Sequence, residues 1–162
     1  MVDLNKYQGL WYEVARKPFI WQLPNSYNVT AEYKLVNGIL QITNKEHLDF
    51  QIPGFSFPPD LPRIKLDKVD LDFERSAYGS GVPVSDNTLL VSFNFGFFET
   101  PKSEYIIVDL GKNYEYSVVS NKNKTNLWIL SRTKVLPGLE IIIQKLKCQG
   151  YNVDDLIRTK QT

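Results

Sequence analysis

The residues best able to do chemistry are few in this chain. His47 is the only histidine and Cys148 the only cysteine among 162 residues. A histidine-based triad therefore has few options, and a cysteine pair for zinc has no second member. Gly79-Ser80-Gly81 is typical of a turn, and no helix follows it to hold a phosphate. We therefore expect no catalytic residues, no metal and no cofactor, and His47 is predicted to lie in the loop after the third strand.

Two segments near opposite ends of the chain each carry a Trp and an Arg. The first is Gly9-Leu10-Trp11-Tyr12-Glu13-Val14-Ala15-Arg16, and the second is Leu127-Trp128-Ile129-Leu130-Ser131-Arg132-Thr133. Both are strand-like, and a guanidinium at one end of the chain can stack on an indole at the other. This pairing predicts a sheet that closes on itself and has an interior.

The composition excludes several classes of partner and site. The chain has 19 basic and 18 acidic side chains and a net charge of +1, so no charge excess points to nucleic acid. Nine Tyr, nine Phe and three Trp make the chain aromatic. Cys148 alone cannot form an intramolecular disulfide and is predicted to be a buried or half-buried structural thiol in a helix. No apolar run follows Met1, so we expect either a cytoplasmic protein or a mature form whose leader has been removed.

Apolar alternation with a period of two predicts eight strands. Turn signals such as Asn37-Gly38 and Gly111-Lys112-Asn113 separate them, and Tyr78-Gly79-Ser80-Gly81 is included among those turns. Most connections are short, which favours antiparallel pairing of sequential strands. The predicted strands are Gly9–Lys17, Asn28–Val36, Ile39–Glu46, Lys68–Ala77, Thr88–Phe95, Glu104–Leu110, Tyr114–Ser120 and Asn126–Thr133.

One connection, from Glu46 to about Lys68, is long and aromatic. It carries four prolines among Phe50, Phe55 and Phe57. A loop of this length is typical of a lid or a contact surface. The alternative is a loop that packs its own Phe side chains over the rim of the sheet.

The last part of the chain predicts one helix and a short extended tail. Leu139, Ile142, Ile143 and Leu146 fall on one helical stripe, and Gly150 is placed to end the helix. Such an apolar stripe is expected to pack on the sheet. Attachment of the helix to a membrane is disfavoured, because its polar face is not notably basic. The segment 154–159 is predicted to add a short extended piece.

The ordered set of motifs resembles the lipocalin family. Within it, the chain is similar to the branch of bacterial outer-membrane lipocalins, plant temperature-induced lipocalins and apolipoprotein D. The likeness covers about residues 3–159. It rests on Gly9–Arg16, Asn28–Tyr33, Leu90–Phe93, Tyr105–Leu110, Tyr114–Tyr116, Leu127–Thr133 with Leu136-Pro137, and Gly150–Ile157.

The resemblance implies an all-β fold in a single lipocalin domain over residues 1–162. The implied architecture is an eight-stranded antiparallel up-and-down barrel with a C-terminal α-helix packed outside and a hydrophobic ligand inside. Gly9, Trp11 and Arg132 are then structural, with Trp11 plugging the closed end and Arg132 covering it. Bacterial members carry a lipidated cysteine in a leader, which is not visible here, and Cys148 alone cannot form the disulfide of some members.

Strand alternation and the family's register assign the predicted lining of the barrel. Val91, Phe93 and Phe95 share one face, while Ser92 and Asn94 are predicted to face solvent. The resemblance places further side chains inside. The predicted ligand-binding residues are Ala31, Tyr33, Val91, Phe93, Phe95, Tyr105, Ile107, Ser117, Asn126 and Trp128.

This lining suits a small hydrophobic ligand such as a fatty acid, a lysophospholipid or a similar lipid, for transport or storage. The alternative is a non-enzymatic protein- or membrane-interaction module with a vestigial cavity. A lipid-converting enzyme would have to use His47 or Tyr105. The expected partners are a small hydrophobic ligand or lipid and, under the alternative, a membrane surface. The protein is expected to be a monomer or a homodimer.

Overall fold

Nine strands of the described residues form one sheet that closes on itself, because β1 pairs with β8 on one side and with β2 on the other. The computed structural model describes residues 1–52 and 69–162. The strands are β1 (Gly9–Arg16), β2 (Tyr27–Val36), β3 (Ile39–Ile52), β4 (Val69–Pro83), β5 (Thr88–Asn94), β6 (Ser103–Leu110), β7 (Tyr116–Ser120), β8 (Leu127–Ser131) and β9 (Ile157–Arg158). Helix α1 (Leu4–Tyr7) precedes β1, and α2 (Leu139–Cys148) follows β8. The antiparallel barrel with one outer helix, predicted from the sequence, is confirmed.

The barrel has two distinct ends. Helix α1 and the start of β1 lie at one end, which we call the floor. Because sequential strands are antiparallel, the β1–β2 loop (residues 17–26) and the β5–β6 connection (residues 95–102) lie at the other end, which we call the mouth. Residues 53–68 join β3 to β4, so Phe55 and Phe57 of the predicted aromatic loop lie outside the described residues.

Strands β3 and β4 are longer than predicted. β3 continues past Glu46 to Ile52, so His47 lies in a strand and the prediction of a loop position was wrong. β4 runs through Gly79-Ser80-Gly81 without turning. The glycine serves close packing, because a Cβ at Gly79 would lie 2.6 Å from the Ser92 carbonyl oxygen and 2.9 Å from the Phe93 ring.

Helix α2 packs on the outside of the barrel against β1, β7 and β8. Ile142, Ile143 and Leu146 are buried against outward-facing residues such as Val118 and Ile129. The helix stops as predicted, since Gly150 adopts a left-handed φ of +83° and the Tyr151 amide bonds back to the Leu146 carbonyl at 3.1 Å. Cys148 is exposed rather than buried, because it lies off the apolar stripe.

The C-terminal tail completes the barrel wall near the mouth. β9 pairs with Ala15 and Arg16 at the point where β1 has separated from β2. Gln161 then donates to the carbonyls of Glu13 on β1 and Val29 on β2, both at 2.8 Å. The predicted extended piece is therefore a strand that closes the gap between β1 and β2.

The described part of the chain contains no helix that is both long and apolar enough to cross a bilayer.

Candidate ligand site inside the barrel

Trp11 and Arg132 close the floor of the barrel. Trp11 is fully buried, and its indole nitrogen donates to the Tyr7 carbonyl at 2.8 Å. The Arg132 guanidinium carbon lies 3.7 Å from the centroid of the Trp11 ring. Gly9 permits this approach, because its φ is +100° and a Cβ there would lie 3.2 Å from Arg132 Nη1. Arg132 also donates to the backbone carbonyls of Lys6, Tyr7, Gln8, Leu10 and Tyr114 at 2.8–3.3 Å.

A cluster of hydroxyl groups lies next to this floor. The Tyr7 hydroxyl is 2.8 Å from the Tyr105 hydroxyl and 3.0 Å from Ser117 Oγ, and the Tyr33 and Tyr105 hydroxyls are 2.7 Å apart. The Tyr7 ring centroid is 5.1 Å from that of Trp11 and 5.4 Å from that of Tyr33. These rings occupy the interior near the floor.

Burial keeps the tyrosines of this cluster neutral. Desolvation raises the pKa of Tyr7 to about 12, despite its hydrogen bonds to Ser117 and Tyr105. Desolvation, with the neighbouring tyrosines, raises the pKa of Tyr33 and of Tyr105 well above the usual value. All three phenols therefore keep their protons in the folded protein at pH values where an exposed tyrosine ionises.

We expect alkaline pH to destabilise the fold through this cluster. The folded pKa values are higher than the unfolded value of about 10, so the stabilisation is complete below about pH 10 and is lost as pH rises towards the folded values. Each buried tyrosine then lowers the free energy of unfolding by about 1.4 kcal/mol per pH unit. Urea unfolding of Tyr105→Phe should show a shallower alkaline loss than wild type.

Tyr78→Phe is the matched control for that experiment, because Tyr78 is 59% exposed on β4. Its alkaline slope should equal that of wild type. Tyrosinate absorbance from the three buried residues should appear only together with unfolding. Their ionisation near pH 10 in a protein that remains folded would contradict the assignment.

The interior wall is mostly apolar. Seven of the predicted ligand-binding residues belong to the interior cluster or pack against it; they are Ala31, Tyr33, Val91, Phe93, Tyr105, Ile107 and Trp128. Ser117 is fully buried and bonded to Tyr7. Ser92, predicted to face solvent, is 4% exposed, because Glu99 of the β5–β6 connection covers its hydroxyl at 2.5 Å.

The other two predicted residues, Phe95 and Asn126, lie at the mouth. β5 ends at Asn94, so Phe95 belongs to the β5–β6 connection, where its ring centroid is 5.3 Å from Phe98 and 6.3 Å from Trp21. Asn126 precedes β8 and lines a surface depression together with Ser103. The structure therefore does not bring these two together with the interior set.

The β1–β2 loop covers part of the mouth. Its Phe19 ring meets the Trp128 ring edge-on, with centroids 5.2 Å apart. Since Trp128 packs against the interior cluster, this contact ties the loop to the interior wall.

Under this loop lies a buried ion pair between Glu13 and Arg16. Both side chains face inward, because β1 carries a bulge between residues 13 and 15 and their partners in register, Leu130 and Trp128, belong to the interior side of β8. Arg16 is fully buried and donates from Nη1 to Glu13 at 2.8 Å. Arg16 Nη2 donates to the Leu23 carbonyl at 2.5 Å, and the Gln22 amide donates to Glu13 at 2.9 Å.

A second ion pair, Glu46 with Arg75, lies on β3 and β4. The two residues are opposite each other in register, and Arg75 Nε donates to Glu46 Oε1 at 2.7 Å. Glu46 is 8% exposed and shares the inward face of β3 with Leu40 and Ile42. Arg75 also donates to the Trp21 carbonyl at 2.7 Å, so both ion pairs hold the β1–β2 loop.

Sequence reasoning missed these four charged residues for identifiable reasons. In a regular strand, residues 13 and 16 would lie on opposite faces, and only the bulge brings them together. The predicted third strand ends at Glu46, although the parity of Leu40 and Ile42 already assigns Glu46 to the inward face. That parity is the one signal that was available.

His47 and Cys148 lie away from the interior. His47 is on the outer face of β3, with Nδ1 3.3 Å from Asp72 Oδ1 and Nε2 3.6 Å from Glu74 Oε2. Cys148 is on the outer helix. Within residues 1–52 and 69–162, no group of three or more His, Cys, Asp or Glu side chains is arranged to hold a metal ion.

Comparison with known proteins agrees with this architecture. Insecticyanin from the tobacco hornworm has a similar structure, with a TM-score of 0.67 and 17% identity over 99% of this chain and 82% of that one. Lobster apocrustacyanin A1 has a TM-score of 0.58 at 18% identity, over 98% of this chain and 79% of that one. At these identities the likeness establishes the fold alone.

Sequence relatives are closer and span nearly the whole chain. A putative lipocalin, R877, of Acanthamoeba polyphaga mimivirus is 33% identical over 97% of this chain and 83% of its own length. The outer membrane lipoprotein Blc of Vibrio cholerae is 33% identical over 98% of this chain and 82% of its own. Temperature-induced lipocalin-1 of Arabidopsis thaliana is 22% identical over 99% of this chain and 80% of its own.

A family model described as a lipocalin-like domain matches residues 2–51 and 71–161. Proteins of this family generally bind small hydrophobic ligands and are not enzymes. The matched residues include the floor, the interior wall and the outer helix described above. The chain therefore belongs to the lipocalin family.

Proposed function

We propose that this protein binds a small lipid, such as a fatty acid or a lysophospholipid, in its barrel for transport or storage. The apolar wall between the tyrosine cluster and the two ion pairs carries this proposal. An alkyl chain along such a wall gains about 0.8 kcal/mol per buried methylene. Ten methylenes would then give roughly 8 kcal/mol before the losses of freedom on binding, and a longer chain correspondingly more.

Short side chains on the inner wall favour space for a ligand between the tyrosine cluster and the mouth. Ala31 on β2 and Ala77 on β4 are both opposite Asn44 of β3 in register, so the three residues share the inward face. We propose that the tail contacts the seven interior residues and approaches Ser117, while Phe95 and Asn126 flank the entrance.

Filling this space should block the ligand without harming the fold. A leucine in Ala77→Leu adds three carbons to the inner wall, which displaces ligand contact worth about 2.4 kcal/mol at 0.8 kcal/mol per carbon. We expect at least a tenfold loss of affinity for a fluorescent polyene fatty acid, measured by titration with Trp128 quenching as a second signal.

Ser76→Leu is the control, because Ser76 is the neighbouring outward residue, opposite Lys45 in register. It should bind the fatty acid as wild type does. Urea unfolding of both variants checks that the fold is kept. Unchanged binding by a folded Ala77→Leu protein would place the ligand elsewhere.

One observation favours the alternative of an interaction module. Ile20, Trp21 and Phe97 at the mouth are 85%, 58% and 92% exposed, and such a group is typical of a contact surface. Native mass spectrometry of the purified protein separates the two functions. A lipid carried in stoichiometric amount supports the carrier, whereas an empty barrel that no lipid fills supports the module.

A further inference from the structure

We infer that the barrel interior selects lipids whose head group donates hydrogen bonds, through a hydroxyl or an ammonium, over lipids that end in a free carboxylate. This inference rests on the lipid binding proposed above. It follows from the polar atoms that the two ion pairs and Asn44 leave unpaired inside the barrel.

The unpaired atoms on β3 are acceptors. Among the residues that the structure describes, buried Asn44 Oδ1 and Glu46 Oε2 have no hydrogen-bond partner. Both side chains are on the inward face and two residues apart, so their Cα atoms are roughly 7 Å from each other. A buried acceptor without a donor is costly, and a ligand that supplies the donor removes that cost.

Arg16 and Arg75 already donate most of their hydrogen bonds to protein acceptors rather than to a ligand carboxylate. Arg16 uses both terminal nitrogens on Glu13, Thr159 and the Leu23 carbonyl, and its Nε is the one buried guanidinium nitrogen without a partner among the described residues. Arg75, whose side chain is 48% exposed, donates from Nε and Nη2 to Glu46 and from Nη2 to the Trp21 carbonyl, so these two nitrogens are occupied.

The balance of charges also disfavours a carboxylate head group. Two carboxylates and two guanidiniums already balance inside the mouth. A third carboxylate would add an unmatched negative charge beside Glu46 in a place of low polarity, which is strongly unfavourable. A neutral hydroxyl adds no charge, and an ammonium is attracted by Glu46.

The same contacts orient the ligand. Trp21 and Leu23 are two residues apart, so their carbonyls lie within about 7 Å, and each holds one of the two arginines. The two ion pairs are therefore directly under the β1–β2 loop. The head group lies there, and the tail points to the tyrosine cluster near the floor.

Three ligands with one chain length test this selectivity: laurate, monolaurin and laurylamine, each below its micelle concentration. In displacement of the fluorescent fatty acid, monolaurin and laurylamine should act at concentrations at least about tenfold lower than laurate. Asn44→Leu removes one acceptor and should reduce the preference to less than about threefold. Thr43→Leu, on the outer face of the same strand, should leave it unchanged.

A second variant tests the sign of the effect. Glu46→Gln keeps an acceptor for Arg75 and replaces the unpaired oxygen by an amide donor, so laurate should gain affinity relative to laurylamine. Laurate binding to wild type as tightly as the other two would overturn this inference and leave the carrier function standing. Failure of every ligand, including the fluorescent fatty acid, would overturn the carrier function itself.

Discussion

Replacing Arg132 by alanine should lower the free energy of unfolding by about 3–4 kcal/mol. The guanidinium stacks 3.7 Å from the buried Trp11 ring and donates to five backbone carbonyls around α1, β1 and the β6–β7 turn. Hydrogen bonds from charged donors contribute about 1.5–3 kcal/mol each and are not additive, and the stacking adds about 1 kcal/mol. Urea unfolding followed by circular dichroism measures the change.

Two companion variants define what the arginine does. Arg132→Lys keeps the charge but loses the planar fork, so it should recover little of the loss. Arg158→Ala removes an arginine bonded to Glu140 on the outer helix, an exposed pair, and should change stability by less than about 0.5 kcal/mol. An Arg132→Ala protein within about 1 kcal/mol of wild type would show that another contact holds the floor.

The floor was predictable because its residues sit in short, recognisable segments. Gly9 and Trp11 lie near one end of the chain and Arg132 lies near the other. In a sheet that closes on itself these ends meet, so the arginine can stack on the tryptophan beside the glycine. The helix stripe ending at Gly150 was equally visible, since its period and its stop are both local.

The interior near the mouth was not predictable in the same way. The bulge in β1 breaks the period-two pattern and turns Glu13 and Arg16 to the same side. The partner of Glu46 is set by the register of β3 and β4, and Arg75 is 29 residues away. Charge placement inside this barrel therefore depends on pairing geometry rather than on composition.

The glycines of β4 illustrate a different limit. Gly79-Ser80-Gly81 has the composition of a turn, yet it lies in the middle of a paired strand. The absence of a side chain at Gly79 lets the Phe93 ring and the Ser92 carbonyl come close, a demand that depends on the neighbouring strand. Local sequence cannot distinguish the two uses of glycine.

The second large effect should come from breaking the ion pair inside β1. Glu13→Gln leaves the fully buried Arg16 guanidinium without its counter-charge, which costs about 3–5 kcal/mol in buried pairs of this kind. The double variant Glu13→Gln with Arg16→Met removes both charges and should be less destabilised than Glu13→Gln alone. Urea unfolding of wild type, Glu13→Gln, Arg16→Met and the double variant gives the coupling energy, expected to exceed about 2 kcal/mol.

The same variants should loosen the β1–β2 loop, because Glu13 accepts from Gln22 and Arg16 donates to the Leu23 carbonyl. Amide hydrogen exchange in residues 19–23 should rise in the double variant even where global stability is largely recovered. Glu74→Ala removes an exposed partner of Lys45 on the outer wall and should change neither quantity. The loop covers part of the mouth, and the double variant leaves the rest of the interior wall intact. Faster ligand release from the double variant would therefore show that the contacts of Glu13 and Arg16 with the loop govern ligand exit. An unchanged release rate would assign that role to other parts of the mouth.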